Sequence, residues 1–181
     1  MTPKNLSWHE RREVKIGDYG ELLVKNYLKS IGWNWSKFEG DCSHPFDFLI
    51  SKPGEKMMAI EVKTKPHRWK YPDTGFNFSN HQVYINVENE HNMKMFVFFV
   101  DESKAEIYGN YLHELEKPRK VIIERTNRRG NRELHALYYP LNQRGDDGKM
   151  IRYYPLEAMK LIRNLTSDEI SEFKRLRGVK N

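Results

Sequence analysis

Residues 93–100 form the most apolar run in the chain: Met93, Met95, Phe96, Val97, Phe98, Phe99 and Val100, interrupted only by Lys94. A run this continuous has no polar face to turn to water, so as a strand it must be buried on both sides. It therefore marks the centre of a sheet that needs cover on each face. The order of elements around it, a helix, three strands, a helix, then two strands, predicts an α/β fold with a mixed central sheet flanked by helices. At 181 residues, one domain with a sizeable core is expected. An aromatic content of 13% argues against disorder.

Ser7 and Glu10 have the spacing of a capping box, which predicts a helix from about Trp8 to Ile31, with Gly32 as its stop. Gly20, Leu23, Val24, Tyr27 and Ile31 make its apolar stripe. Glu21 lies at the edge of that stripe, and Gly17 is a place where the helix could break in two. Gly17 and Gly20 are tolerable if another backbone or a ligand approaches closely. Alternation over residues 33–38 predicts a strand, and residues 39–44 a polar loop. Residues 64–78 read as an irregular loop. Ser79 opens a helix to about Glu90. A short strand over 105–108 and a short helix over 111–116 follow. Residues 121–125 and 133–139 form a second hairpin with a basic tip, and 143–149 a Gly/Asp-rich loop. Pro155 is expected to start a helix to about Asn164. Thr166 and Glu169 form another capping box, opening a terminal helix whose Lys174, Arg175 and Arg177 offset its dipole.

The chemistry concentrates in the two apolar runs 45–50 and 59–63, joined by a turn over 51–55 that contains Pro53 and Gly54. That spacing predicts a β-hairpin. Side chains alternate faces with period two. Phe48 and Ile50 then share one face of their strand, as Ile60 and Val62 do of theirs. Asp47, Glu61 and Lys63 can meet on one hairpin face. Two carboxylates on rigid strands suit a hard, oxygen-loving cation, and a neighbouring ammonium can orient a nucleophile or offset charge on a phosphate. A Glu-x-Lys on an exposed strand is most often an ordinary surface pair worth well under about 1 kcal/mol. That alternative leaves Asp47, inside an apolar strand, and Glu21, beside the buried stripe, without explanation.

Pro45-x-Asp47, thirteen residues, then Glu61-x-Lys63 resembles the signature of the PD-(D/E)XK nuclease superfamily, which includes restriction endonucleases, archaeal-type Holliday junction resolvases and repair nucleases. The likeness covers residues 10–100, with Phe46 between Pro45 and Asp47 as a departure. It implies a restriction endonuclease-like core, about residues 8–109, in one nuclease-like domain over 1–181; it says little about 110–181, which read as a C-terminal elaboration made of a hairpin and helices. It implies that Asp47, Glu61 and the Val62 carbonyl hold Mg²⁺ or Mn²⁺, that Glu21 matches the acidic residue many members place on the preceding helix, and that Lys63 assists the attacking water. Gln82, on the following helix, is a weaker match to a polar residue that lines some members' sites. The implied activity is that of a metal-dependent DNA endonuclease. A junction- or branch-directed enzyme and a sequence-specific one both fit. A ribonuclease or exonuclease on the same fold, or a catalytically silent nucleic-acid-binding module, are the alternatives.

The remaining features concern partners. A net charge of +6 suits a polyanionic partner, here nucleic acid and first of all DNA. Lys65, His67, Arg68, Trp69 and Lys70 mix cations with rings, the combination that binds nucleic-acid backbones and unpaired bases. Arg125, Arg128, Arg129 and Arg132 give the second hairpin a tip that could enter a groove or clamp phosphates; a solvated loop is the alternative. His44, three residues before Asp47, can touch a substrate phosphate; a loop histidine without such a duty is the commoner case. The small size suits a homodimer that cuts two strands. The single Cys42 can form no internal disulfide and no Cys-rich zinc site. No run approaches the roughly 20 apolar residues of a membrane span, and residues 1–5 lack the apolar core of a signal peptide. A cytoplasmic protein is expected, with no membrane partner.

Overall fold

The computed structural model describes residues 11–37, 44–126, 130–145 and 147–179. Its elements are α1 (Arg12–Ser30), β1 (Asn34–Ser36), β2 (Phe48–Ser51), β3 (Met58–Thr64), β4 (Asp73–Asn77), α2 (Phe78–His91), β5 (Met95–Asp101), β6 (Glu106–Tyr111), α3 (Leu112–Leu115), β7 (Arg119–Thr126), β8 (Arg132–Tyr139), β9 (Leu141–Arg144), β10 (Met150–Pro155), β11 (Lys160–Asn164) and α4 (Ser167–Arg177). A central six-stranded sheet runs β1-β2-β3-β5-β6-β11. Only the β3–β5 pair is parallel; β1–β2, β2–β3, β5–β6 and β6–β11 are antiparallel. The expected mixed sheet with helical cover is therefore present, with the apolar run near its middle.

Period-two alternation divides the core in two. Phe48, Ile50, Ile60, Val62, Phe98, Val100 and Ile107 face one way and are covered by Ile16, Leu23, Val24 and Leu28 of α1 and Phe173 of α4. Ala59, Met95, Val97, Phe99 and Tyr108 face the other way, against Tyr84 and Val87 of α2, Leu112 and Leu115 of α3, and Phe76 and Tyr154. The last two rings come from a second sheet, β4-β10-β9. A third cluster, Val121, Tyr139, Ile151 and Tyr153, fastens the β7–β8 ribbon to that sheet.

Several elements differ from expectation. The helix expected from Pro155 to Asn164 is instead a single 3-10 turn, Leu156–Ala158, followed by β11. Residues 160–164 pair with β6 across a bulge between Leu161 and Arg163. They satisfy a sheet edge that would otherwise present unpaired N–H and C=O groups, and that tertiary demand overrides local helix propensity. Residues 64–78 are not wholly irregular, because Asp73–Asn77 pairs with β10. The 143–149 loop begins as β9. Helix α2 starts at Phe78, with Asn77 at its N-cap and no side-chain cap bond, rather than at Ser79. Gly17 does not break α1. The Ser7 capping box, Phe38 and most of the 39–44 loop lie outside the described residues, as do Arg128 and Arg129 at the ribbon tip. The Thr166–Glu169 capping box is formed, each side chain bonded to the other's backbone N–H.

Candidate active site

The register of the β2–β3 hairpin builds the site. Phe48 pairs with Ile60, so one step beyond β2 Asp47 stands across from Glu61. There the ladder is finished by hand: the Asp47 N–H donates to the Ile60 carbonyl at 3.0 Å. The Val62 N–H, left without a β2 partner, donates to Asp47 Oδ2 at 2.7 Å. The Val62 carbonyl, on the same edge of β3 as its N–H, therefore also points to the side where β2 has ended. Phe46, the departure from the motif, is buried in the α2-side core and anchors this corner.

Glu61 is 4% exposed on the α2 side of β3. Its Oε1 accepts a hydrogen bond from Lys63 Nζ, two residues along the same face. Tyr84 of α2 is hydrogen-bonded to Glu61 as well. Burial first, and then the Glu61 charge, drive the phenol far above its usual range, with Asn80 bonded to the same tyrosine. Lys63 Nζ also stands 5.8 Å from the Tyr84 ring centre, within reach of a cation–π attraction. These groups open onto a cavity of about 380 Å³ lined by His44, Pro45, Asp47, Glu61, Asn80, Val83 and Tyr84.

Glu21 comes from the opposite layer. Helix α1 lies so close to β3 that a Cβ at Gly20 would fall 1.8 Å from Thr64 Oγ1. Gly20 thus lets the helix settle onto the strand and brings the next residue to the sheet's end. Glu21 Oε2 accepts from Lys25 at 3.1 Å and from Lys37 at 3.5 Å. Its charge is felt at Asp47. Burial, then Glu61, then Glu21 push the Asp47 carboxyl up to about 7, although the Val62 N–H and Lys63 pull the other way. Burial first, and then the two neighbouring carboxylates, thus hold Asp47 above the ordinary aspartate range.

Among the described residues no group of three or more His, Cys, Asp or Glu side chains is arranged to hold a metal ion. Glu61 is held by Lys63 and Tyr84, and Glu21 by its two lysines. The donors that converge are all oxygens, a set that fits a hard divalent cation and not zinc.

The structure separates the expected residues into groups. Asp47, Glu61 and Lys63 come together on the face of the sheet that the hairpin pattern predicts, and His44 lines the same cavity. Gln82 does not: it is exposed, because α2 presents Asn80, Val83 and Tyr84 to the cavity one turn around. Tyr84 and Asn80 were missed; their signal is the i, i+4 spacing that faces both toward the hairpin.

The basic stretch after β3 also divides. Arg68 is not a phosphate ligand in waiting. Its guanidinium makes a bidentate pair with Asp73 (2.6 and 2.5 Å), bonds Gln143 at 2.6 Å, and lies between the rings of Tyr71 and Tyr153 at 4.2 and 3.8 Å. Asp73 is fully buried and needs that partner. His67 is likewise committed, with its N–H and Nδ1 both on Asp101 Oδ2. Lys65 lies close enough to Lys63 and Arg68 that burial, then those two charges, lower its amine. Trp69 and Lys70 are exposed. On the ribbon, Arg125 bonds the Tyr71 hydroxyl at 3.3 Å, and Arg132 is exposed beside Glu124 at 3.3 Å.

No protein-family model matches the chain, and no curated protein does. Among solved structures it is similar to the Holliday junction resolvase of the archaeal hyperthermophile Archaeoglobus fulgidus, at 19% identity, over 56% of this chain and 81% of that one, with a TM-score of 0.43. No helix among the described residues is long and apolar enough to cross a membrane.

Proposed function

We propose that the chain is a divalent-metal-dependent nuclease that hydrolyses phosphodiester bonds, with DNA as its substrate. One observation carries this reading. Asp47 and Glu61 line one cavity, and burial together with the charges of Glu61 and Glu21 pushes the Asp47 carboxyl up to about 7. Packing alone gives no reason to gather like charges. A cluster that costs stability and opens to solvent is the mark of a site kept for function.

Asp47, Glu61 and the Val62 carbonyl would hold Mg²⁺ or Mn²⁺, with Glu21 reaching it directly or through water. Such an ion supplies an activated water and polarises the scissile phosphate. The chain's own groups do the rest. Tyr84 fixes the Glu61 carboxylate by hydrogen bond, and the Val62 N–H fixes Asp47, so neither donor needs to reorganise. Lys63 stands beside both carboxylates, where its ammonium orients the nucleophile and offsets charge developing on the phosphorane. The cavity between the hairpin and α2 gives the phosphate its place, and His44 at its rim contacts a non-bridging oxygen.

The test is an incubation with supercoiled, linear, single-stranded and branched DNA, and with RNA, in Mg²⁺ or in EDTA. Cleavage should require Mg²⁺. Asp47→Ala and Lys63→Ala should each lower the rate by about 100-fold or more while binding survives. Unchanged cleavage by Asp47→Ala would sink the site assignment. Cleavage of RNA alone, or from ends alone, would move the activity to a ribonuclease or an exonuclease. Binding without cleavage of any substrate would leave a nucleic-acid-binding module.

A further inference from the structure

Trp69 is 94% exposed, yet the segment that carries it is fastened by hydrogen bonds on both sides of it. It begins where β3, the strand of Glu61 and Lys63, ends, with the Lys65 N–H on the Val100 carbonyl at 3.1 Å. His67 is fastened to Asp101 by backbone and ring. Arg68 is fastened by its backbone N–H to the Asp73 carbonyl at 2.9 Å, and by its guanidinium to the Asp73 carboxylate and Gln143. The Tyr71 N–H closes a turn on the Arg68 carbonyl at 3.4 Å, leaving Trp69 and Lys70 as its two central residues. Because the Arg68 side chain is drawn inward between Tyr71 and Tyr153, its neighbour is held outward. Loops that are merely floppy expose tryptophan by chance; this one is braced to do so.

Beside Trp69 lies an open concavity of about 320 Å³, whose lining includes His67, Lys70, Tyr71 and Lys104 and one acid, Glu124. Lys70 and Lys104 are both exposed. An indole with cations on its flanks, set on a fixed turn, is the arrangement that stacks an unpaired base while ammonium groups track the adjoining phosphates. Pre-formed geometry lowers the ordering cost of such a contact.

We infer that Trp69 is a stacking residue for an unpaired or unstacked base, so that the preferred substrate is nucleic acid with a single-stranded or branched region. This rests on the nuclease reading of the carboxylate site on β3, the strand that leads into this loop, and specifies its substrate class.

The experiment compares wild type, Trp69→Ala and Trp69→Phe in EDTA, where nothing is cut. Each is titrated with oligothymidylate, with a duplex bearing a single-stranded gap, and with a fully paired duplex. Trp69→Ala should weaken binding to the first two by about 5- to 150-fold and leave the paired duplex unchanged, while Trp69→Phe restores most of the affinity. Intrinsic fluorescence should be quenched by oligothymidylate in wild type and not in Trp69→Phe. The thermal midpoint should not move in either variant, because the side chain packs against little. Equal affinity of wild type and Trp69→Ala for every probe would overturn the inference, as would an equal loss on paired and unpaired probes. Cleavage in Mg²⁺ is read separately. Wild type that cuts while Trp69→Ala shows no selective loss removes the stacking role and keeps the nuclease. Wild type that binds unpaired DNA through Trp69 and cuts nothing removes the nuclease and keeps the stacking surface.

Discussion

At Asp47 the same physics that suggests catalysis makes a measurable demand on stability. Its carboxyl rises from an ordinary 3.8 to about 7 in the folded chain. Below the unfolded value both states carry the proton and the group contributes nothing. Between the two values the folded state holds a proton that the unfolded state has released, so stability falls as pH rises, and above about 7 the deficit is complete. A shift of this size is worth up to about 4 kcal/mol. In EDTA, Asp47→Asn should therefore raise the thermal midpoint at pH 8 and leave it nearly unchanged at pH 4, since the amide oxygen can still accept from the Val62 N–H. An equal shift at both pH values would show that the carboxylate crowding is not felt. Asp47, Glu61 and Lys63 were legible in the sequence because a polar residue inside an apolar strand must have a reason to be there. Arg68 was misread for the opposite reason. Its partner Asp73 looks like one acid in a basic loop until β4 is folded under β10, and only then is it a fully buried charge that requires a guanidinium. Asp73→Ala should cost about 3–5 kcal/mol, measured by denaturant unfolding, because it strands Arg68 and removes the acceptor of the Tyr139 hydroxyl at 2.5 Å.

At the scale of elements, α1 offers a matched pair of glycines with opposite duties. Gly17 has open space around it and no unusual backbone angle, so Gly17→Ala should stabilise the chain by about 0.5–1 kcal/mol. Gly20 meets Thr64 at once. Threonine is β-branched and stiff, so Gly20→Ala should cost about 1–3 kcal/mol and lift Glu21 away from Asp47, lowering cleavage as well. Thermal unfolding of the two variants side by side checks both, and destabilisation by Gly17→Ala would contradict the open surroundings. Helices announced themselves by stripe and cap, and the Thr166 cap was found on its spacing. Strand β11 was not, because residues 160–164 carry no period that separates a strand from a helix. What makes them a strand is the free edge of β6, which no local pattern records. The same holds for β4, whose partner β10 lies more than seventy residues later.

For the whole molecule, the net charge of +6 becomes a statement about salt. If phosphates are the partners, binding should weaken steeply with ionic strength, with a slope set by the number of cations engaged. Neutralising Arg128 and Arg129 together should weaken binding alike on all sequences and flatten that slope. A slope identical to wild type would take the ribbon tip out of the interface. The sequence disclosed the layered sheet and the corner where Asp47 and Glu61 meet. It disclosed much less of the second sheet and the ribbon, because those are joined to the core through pairings and ring contacts between residues far apart in the chain.

Strand β11 also places a constraint in time. Residues that build the corner of carboxylates are made early, between Glu21 and Tyr84, but the sheet beneath them is finished by residues 160–164, and the helix layer over α1 by Phe173. During synthesis the carboxylate corner can thus exist as sequence well before it exists as a supported surface. A ribosome-stalled chain ending near residue 155 should be cut readily by protease along β6, whereas a chain extended through residue 181 should be protected there. Strand β11 would then act as a completion signal, because the carboxylate corner gains its full support only once residues 160–173 have been added.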